Sequence, residues 1–179
     1  YLKDATDSDF QFFPGMEGAN YVMFDYDGVD EDSYVFDYQV PMDATGGVEM
    51  NKGVDRGIKK RVGGRGIEYN LTPMTDWTKH VLSYQVERNP HYLDRAQFRY
   101  LPFEMQNFNV MIRLKGDRVW IVSVKDKEVW GIKIRSTNLA SSLISLHQAL
   151  WKMADPITKD MIESWMPNSY LRAEKAKDR

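Results

Sequence analysis

One stretch limits the possible folds more than any other, residues 108–135. Phe108, Val110, Ile112 and Leu114 alternate with Asn109, Met111, Arg113 and Lys115. A period of two places these two sets on opposite faces of a β-strand. Gly116-Asp117 then supplies a two-residue turn, and residues 118–125 form a run rich in Val and Ile. Asp126-Lys127 supplies a second turn, and residues 129–135 complete a third strand. Turns this short join antiparallel neighbours, so the segment predicts a meander. Residues 98–103 read as a further strand before it.

The two turns also set the register. They place Lys115 opposite Arg118, Arg113 opposite Trp120, Lys125 opposite Glu128, and Trp120 opposite Lys133. One face then carries Val110, Ile112, Leu114, Val119, Ile121, Trp130, Ile132 and Ile134. This is a core face. The other carries Arg113, Lys115, Arg118, Trp120, Lys133 and Arg135, with Met111, Val122 and Val124 between them. Five cations around one tryptophan suit single-stranded nucleic acid, because cations neutralise phosphates and aromatic rings stack on unpaired bases. The competing reading is an exposed sheet face made basic for solubility, with Trp120 packed on another subunit.

A helix follows the meander. Ser136, Thr137 and Asn138 are N-cap candidates. Leu139, Leu143, Leu146 and Leu150 share one helical face, and Asp155-Pro156 stops the run. The front half suggests the same plan: an apolar run at 10–13, a hairpin of 21–26 and 33–40 around an acidic loop, a strand at 46–51 and a short strand at 66–71. Thr72-Pro73 then starts a helix with the stripe Met74, Trp77, Val81 and Tyr84. The expected fold is α+β: two β-β-β-β-α repeats, about 10–88 and 98–156, forming antiparallel sheets with helices packed on one face. Residues 1–179 form a single domain, with a C-terminal helical tail at 157–179.

Charge is distributed unevenly. Residues 1–45 hold 11 acids and one base, whereas 46–65 hold six bases and two acids. The basic stretch contains Lys52, Arg56, Lys59, Lys60, Arg61 and Arg65 among glycines, and reads as a flexible loop that brings cations close to a phosphate chain. An acidic front beside a basic remainder also suggests a basic protein partner.

Several chemistries find no motif. Cysteine is absent, so disulfides and thiolate metal sites are excluded. His80, His91 and His147 are dispersed, with His80 and His147 expected on the exposed sides of helices. The run from Asp25 to Asp32 lacks the glycine and glutamate positions of an EF-hand loop. No phosphate-binding glycine loop of the nucleotide-binding kinds is present. The expectation is a non-enzymatic chain with no cofactor and no metal. No apolar run is long enough to span a membrane, and none near the N-terminus reads as a secretory signal. Tyr1 is not a start methionine, which points to trimming or processing.

The stretch Gly64-Arg65-Gly66-Ile67-Glu68-Tyr69-Asn70-Leu71-Thr72-Pro73-Met74-Thr75-Asp76-Trp77 resembles the last strand and helix start of coactivators that bind single-stranded DNA. The duplicated plan resembles the whirly fold, shared by plant single-strand-binding proteins and the mitochondrial guide-RNA-binding proteins of trypanosomatids. The Lys-Gly-Lys-Ala-Ala-Leu element of the plant proteins is absent. The resemblance implies a mitochondrial, sequence-tolerant binder of single-stranded RNA, guide RNA or messenger RNA. It also implies an annealing role in RNA editing and a heterotetramer with a related, more basic chain. The alternatives are a structural subunit of a ribonucleoprotein assembly and a single-stranded-DNA-binding transcription-type factor.

Overall fold

The computed structural model describes residues 9–25, 27–38, 48–105, 108–125 and 128–166. In chain order the elements are β1 (Asp9–Pro14), α1 (Gly15–Met23), β2 (Ser33–Asp37), α2 (Val48–Gly63), β3 (Glu68–Leu71), α3 (Asp76–Arg88) and a 3-10 turn (Tyr92–Asp94). There follow β4 (Ala96–Tyr100), β5 (Val110–Lys115), β6 (Arg118–Lys125), β7 (Glu128–Arg135), α4 (Thr137–Met153), β8 (Asp155–Pro156) and α5 (Lys159–Trp165). The strands form one eight-stranded sheet in the order β1-β7-β6-β5-β2-β3-β4-β8. β3 runs parallel to β2 and β4, and every other pairing is antiparallel. The protein is α+β. Among the described residues no helix is long and apolar enough to cross a membrane.

The meander stands in the expected register. Lys115 lies opposite Arg118, Arg113 opposite Trp120, Trp120 opposite Lys133, and Lys125 opposite Glu128. Gly116 holds φ at 55°, the left-handed turn geometry that a two-residue hairpin requires. The second turn, 126–127, lies outside the described residues. Leu114 and Val119 are wholly buried on the α4 side, joined by Phe36, Leu71 and Ala140.

Helix α4 is capped by Ser136, whose Oγ accepts from the Leu139 N–H. Its leucine stripe, however, is out of phase with its buried face. Leu139 and Leu146 are exposed, while Ala140 and His147 are fully buried. The small alanine lets the helix approach the sheet. His147 Nε2 faces the Val35 carbonyl at 3.2 Å and so carries the proton that it donates there. The rings of Tyr34, Phe36 and Trp151 surround it. His147 is therefore a core residue, contrary to the exposed position expected for it. Burial pushes its pKa down to about 4.

The front half departs further from the sequence reading. The expected strand at 21–26 lies largely within α1, which buries Gly18, Ala19, Val22 and Met23 at helical spacing. Residue 26 is outside the described set. The expected strand at 46–51 is partly the start of α2, with 46 and 47 outside the described residues. The expected basic loop at 52–66 is mostly the body of α2. Here glycine propensity is overridden by packing: Gly53 and Gly57 are buried, and a Cβ at Gly53 would stand 2.8 Å from the Phe24 ring. Strand β2 ends at Asp37, with 39 and 40 outside the described residues, and its neighbours are β3 and β5 in place of a hairpin partner. Helix α3 is capped by Thr75 and not Thr72, whose N–H instead bonds the Arg99 carbonyl. Its buried positions are Thr78, Leu82, Ser83 and Val86, one residue round from the expected stripe. Among the described residues, 10–88 thus run β1-α1-β2-α2-β3-α3 in place of the expected four strands and a helix. Strand β4 also stands apart from the meander, between β3 and β8. The tail contributes α5, whose Ile162 is fully buried, and 167–179 lie outside the described residues.

Helix α1 covers the meander face opposite α4, packing Ala19, Val22 and Met23 on Met111, Trp120, Val122 and Val124. The approach depends on glycine. A Cβ at Gly131 would lie 2.6 Å from Val22 Cγ2 and 2.9 Å from the Gly18 carbonyl oxygen. Gly131→Ala should therefore lower unfolding free energy by about 1–3 kcal/mol in urea titrations, the usual cost of overpacking. The buried neutral imidazole sets a second expectation. Its folded pKa is below its unfolded value, so the unfolded chain binds more protons as pH falls from about 6.5 to about 4. Stability should fall through that window, by up to ~3 kcal/mol from this group. A His147→Gln variant should lack this part of the slope when both proteins are titrated across the window.

Candidate nucleic-acid interface

The proposed cationic sheet face exists as a face, but α1 and its following segment lie on it. Arg113, Lys115 and Trp120 are all under a tenth exposed. Arg113 donates from Nη1 to the Asp25 carbonyl at 2.9 Å and from Nη2 to the Met23 carbonyl at 3.4 Å. These carbonyls lie at the C-terminal end of α1, where helices leave acceptors unpaired and carry partial negative charge. The guanidinium thus serves as a tertiary cap. Trp120 donates its indole N–H to Asp25 Oδ2 at 3.0 Å, and Lys133 Nζ meets the same oxygen at 2.8 Å. Burial pushes the Asp25 carboxyl up, but the hydrogen bonds from Lys133, Trp120 and the Asp27 N–H more than offset this and hold its pKa below the usual value. Lys115 Nζ stands 5.1 Å from the Trp120 ring centroid, and burial draws its pKa down.

Full exposure on this face is confined to its edge. Arg118 and Arg135 are exposed and share Asp117, with Arg135 Nε at 2.6 Å and Arg118 Nε at 3.7 Å. The hydrogen bond from Arg135 lowers the Asp117 pKa. The expected stacking platform is therefore corrected: Trp120 is a core residue, and Arg113 and Lys115 are structural cations. Lys133 is half-buried, its ammonium 4.0 Å from the Tyr21 ring centroid.

The basic stretch keeps its exposure, on a helix in place of a loop. Lys52, Arg56, Lys59 and Lys60 all stand exposed on α2. Their spacing of four, three and one keeps them on one side of the helix. Arg61 points the other way and is buried, pairing with Glu68 at 3.1 Å and Ser33 Oγ at 3.0 Å. Arg65, beyond the helix end, is exposed beside Asp30 at 3.4 Å. The acid within the stripe is already engaged: Asp55 accepts from Arg88 of α3 at 2.6 Å, and that bond raises the Arg88 pKa.

Arg56 and Lys60 also border an open groove of about 790 Å³ between α1 and α2. Phe13, Tyr21 and Lys133 line it, together with the acids Glu17, Asp25 and Asp27. Tyr21 is 59% exposed and is the aromatic side chain of this surface that the sequence reading missed. The signal lay in the helical spacing of Gly18, Ala19 and Val22, which was masked by the apolar run after it. Among the described residues no group of three or more His, Asp or Glu side chains converges as a metal site.

No family model matches this chain, and no curated protein matches it. Solved structures do share its fold. TrmBL2, an archaeal chromatin protein described as showing a novel mode of DNA binding, superimposes with a TM-score of 0.58 at 10% identity. That match covers 87% of this chain and 56% of TrmBL2, so the chain spans little more than half of TrmBL2's length. Nuc from Salmonella typhimurium, a phospholipase D family member, gives 0.54 at 13% identity, covering 85% of this chain and 99% of Nuc. NucT from Helicobacter pylori gives 0.53 at 11% identity, covering 84% and 99%. At these identities the likeness is one of fold. It corrects the expectation of a non-enzymatic chain, since an enzyme family uses this fold. None of the three is a whirly or guide-RNA-binding protein, and that resemblance finds no support among them.

The buried position of Arg113 yields a test. Arg113→Met should lower stability by about 2–3 kcal/mol, through loss of charge-assisted hydrogen bonds to the α1 carbonyls. Nucleic-acid affinity per folded molecule should stay within twofold of the parent. Loss of affinity without loss of stability would return Arg113 to the binding surface.

Proposed function

We propose that this chain binds nucleic acid, gripping the sugar–phosphate backbone of DNA with the outer face of α2. The observation that carries the reading is the exposed row Lys52, Arg56, Lys59 and Lys60. Its one interposed acid, Asp55, is occupied by Arg88. At about 1.5 Å rise per residue the row spans ~12 Å, enough to meet two or three successive phosphates. Arg65 extends it past the helix end. The described DNA binding of TrmBL2 supports DNA as the polymer. Interactions of this kind fix position and carry no base sequence, so the binding is sequence-tolerant.

The test is fluorescence anisotropy with duplex DNA, with single-stranded DNA and single-stranded RNA as comparison arms, over a range of salt. The parent should bind duplex DNA with affinity that falls steeply as salt rises. The variant Lys52→Ala, Arg56→Ala, Lys59→Ala, Lys60→Ala keeps a helix-favouring composition. It should bind at least about tenfold more weakly, with the log–log salt slope reduced by up to ~0.9 for each phosphate that is no longer neutralised. An unchanged slope in the folded variant would refute the placement on α2. Tighter binding of RNA than of either DNA would refute the choice of polymer.

A further inference from the structure

Between the sheet and helices α1, α2 and α3 lies a cavity of about 90 Å³. Its wall is two-sided in chemistry. One part is polar, with Asp37, Arg61, Glu68, Asn70, Gln85 and Arg113. The other is apolar, formed by side chains such as Val35, Ile58 and Phe98.

Two of the polar groups end in atoms with no partner. Arg61, 5% exposed, directs Nη2 to Glu68 and Ser33, but its Nη1 meets no acceptor. Asp37 Oδ1 is out of solvent and meets no donor. Glu68 and Asn70 are tied to one another, with Asn70 Nδ2 3.5 Å from Glu68 Oε1. Buried polar atoms are nearly always satisfied, and each one left open costs about 1–3 kcal/mol. A donor and an acceptor left open on one cavity wall call for an occupant that answers both.

The charges decide its class. A cation would meet Arg61 and Arg113, and an anion would meet Asp37 and Glu68. A neutral polyol can accept from Arg61 with one hydroxyl and donate to Asp37 with another. The apolar wall favours an occupant that also presents carbon, and the volume limits it to a few heavy atoms. We propose that this cavity is a binding site for a small neutral polyol of three or four carbons, its hydroxyls on Asp37 Oδ1 and Arg61 Nη1 and its carbons against Val35 and Ile58. A recess of about 30 Å³, lined by Asp37, Thr72, Trp77 and Gln85 among others, adjoins it on the α3 side. Burial, with Glu68 nearby, pushes the Asp37 carboxyl up to about 6, against the opposing pull of Arg113. The site is independent of the α2 outer face, since Arg61 points inward from that helix.

The experiment is calorimetric titration and thermal unfolding of the full chain with glycerol and erythritol at millimolar concentration, below the range where polyols act by exclusion. Acetate and methylammonium are the charged comparisons. Binding should saturate with a Kd on the order of 1 mM or tighter, raise the melting temperature, and shift the side-chain amide NMR signals of Asn70 and Gln85. Asp37→Leu removes the open acceptor without burying a new polar group, so it should remain folded and bind at least about tenfold more weakly. The proposal is overturned if neither polyol saturates on the parent, which would leave water as the occupant. It is also overturned if the saturable effect persists in Asp37→Leu, or if acetate or methylammonium binds more tightly. No nucleic acid enters the assay, so its result stands apart from that of the α2 test.

Discussion

The seating of α1 on the meander rests on charge as much as on apolar packing. Arg113 reaches across to the Met23 carbonyl that ends that helix and to the Asp25 carbonyl just beyond it, while Trp120 and Lys133 converge on the Asp25 carboxylate. A bare sheet face carrying these cations would attract polyanions. Once the end of α1 and one carboxylate are laid on it, the same cations become internal partners. They are desolvated, and their burial is offset by charge-assisted hydrogen bonds. The close approach of Gly18 to Gly131 allows the helix near enough for those bonds to form.

This seating decides which charge is left for a partner. The sheet face contributes only its edge, Arg118 and Arg135, and both are partly satisfied by Asp117. The exposed positive surface moves to α2, whose inner side is held by Arg61 against Glu68 and Ser33. One helix therefore presents two different environments. Its outer face is wet and basic, and its inner face lines a cavity of mixed polar and apolar character. The acidic front of the chain is used partly within the chain itself: Asp25 serves the sheet, Asp30 meets Arg65 at the surface, and Asp37 lines the cavity.

The meander was legible because its signal is local. A period of two and turns of two residues set the pairing between neighbouring strands, and every predicted opposition among Arg113, Lys115, Arg118, Trp120 and Lys133 is present. The helix start at Ser136 was legible for the same reason. The front half was legible in part: the runs at 10–13, 33–40 and 66–71 stand in β1, β2 and β3, and α3 follows Thr72-Pro73, but two other segments are helical where strand or loop was expected. Residues 21–23 carry β-favouring side chains yet lie in α1, because Gly15 turns the chain and small residues at 18 and 19 dock it. Residues 52–63 carry glycines yet form α2, where Gly53 is a point of close packing against the Phe24 ring and not a break. His147 was assigned to the wrong side of α4, since leucines are the stronger apolar signal but alanine allows the closer approach.

By itself the sequence determined a class and a ribbon: α+β, three antiparallel strands in known register, a capped helix after them, and cations aligned along one side of that ribbon. Alternation and turn length are properties of consecutive residues, so no distant part of the chain is needed to read them. Only the tertiary structure decided what covers each side. Burial of Arg113 and Trp120, exposure of the α2 row, and the presence of Asp37 and Arg61 on one cavity lining all depend on which segments meet through space. That choice is made by close packing at glycines and by the need of each buried charge for a partner, neither of which has a fixed spacing along the chain.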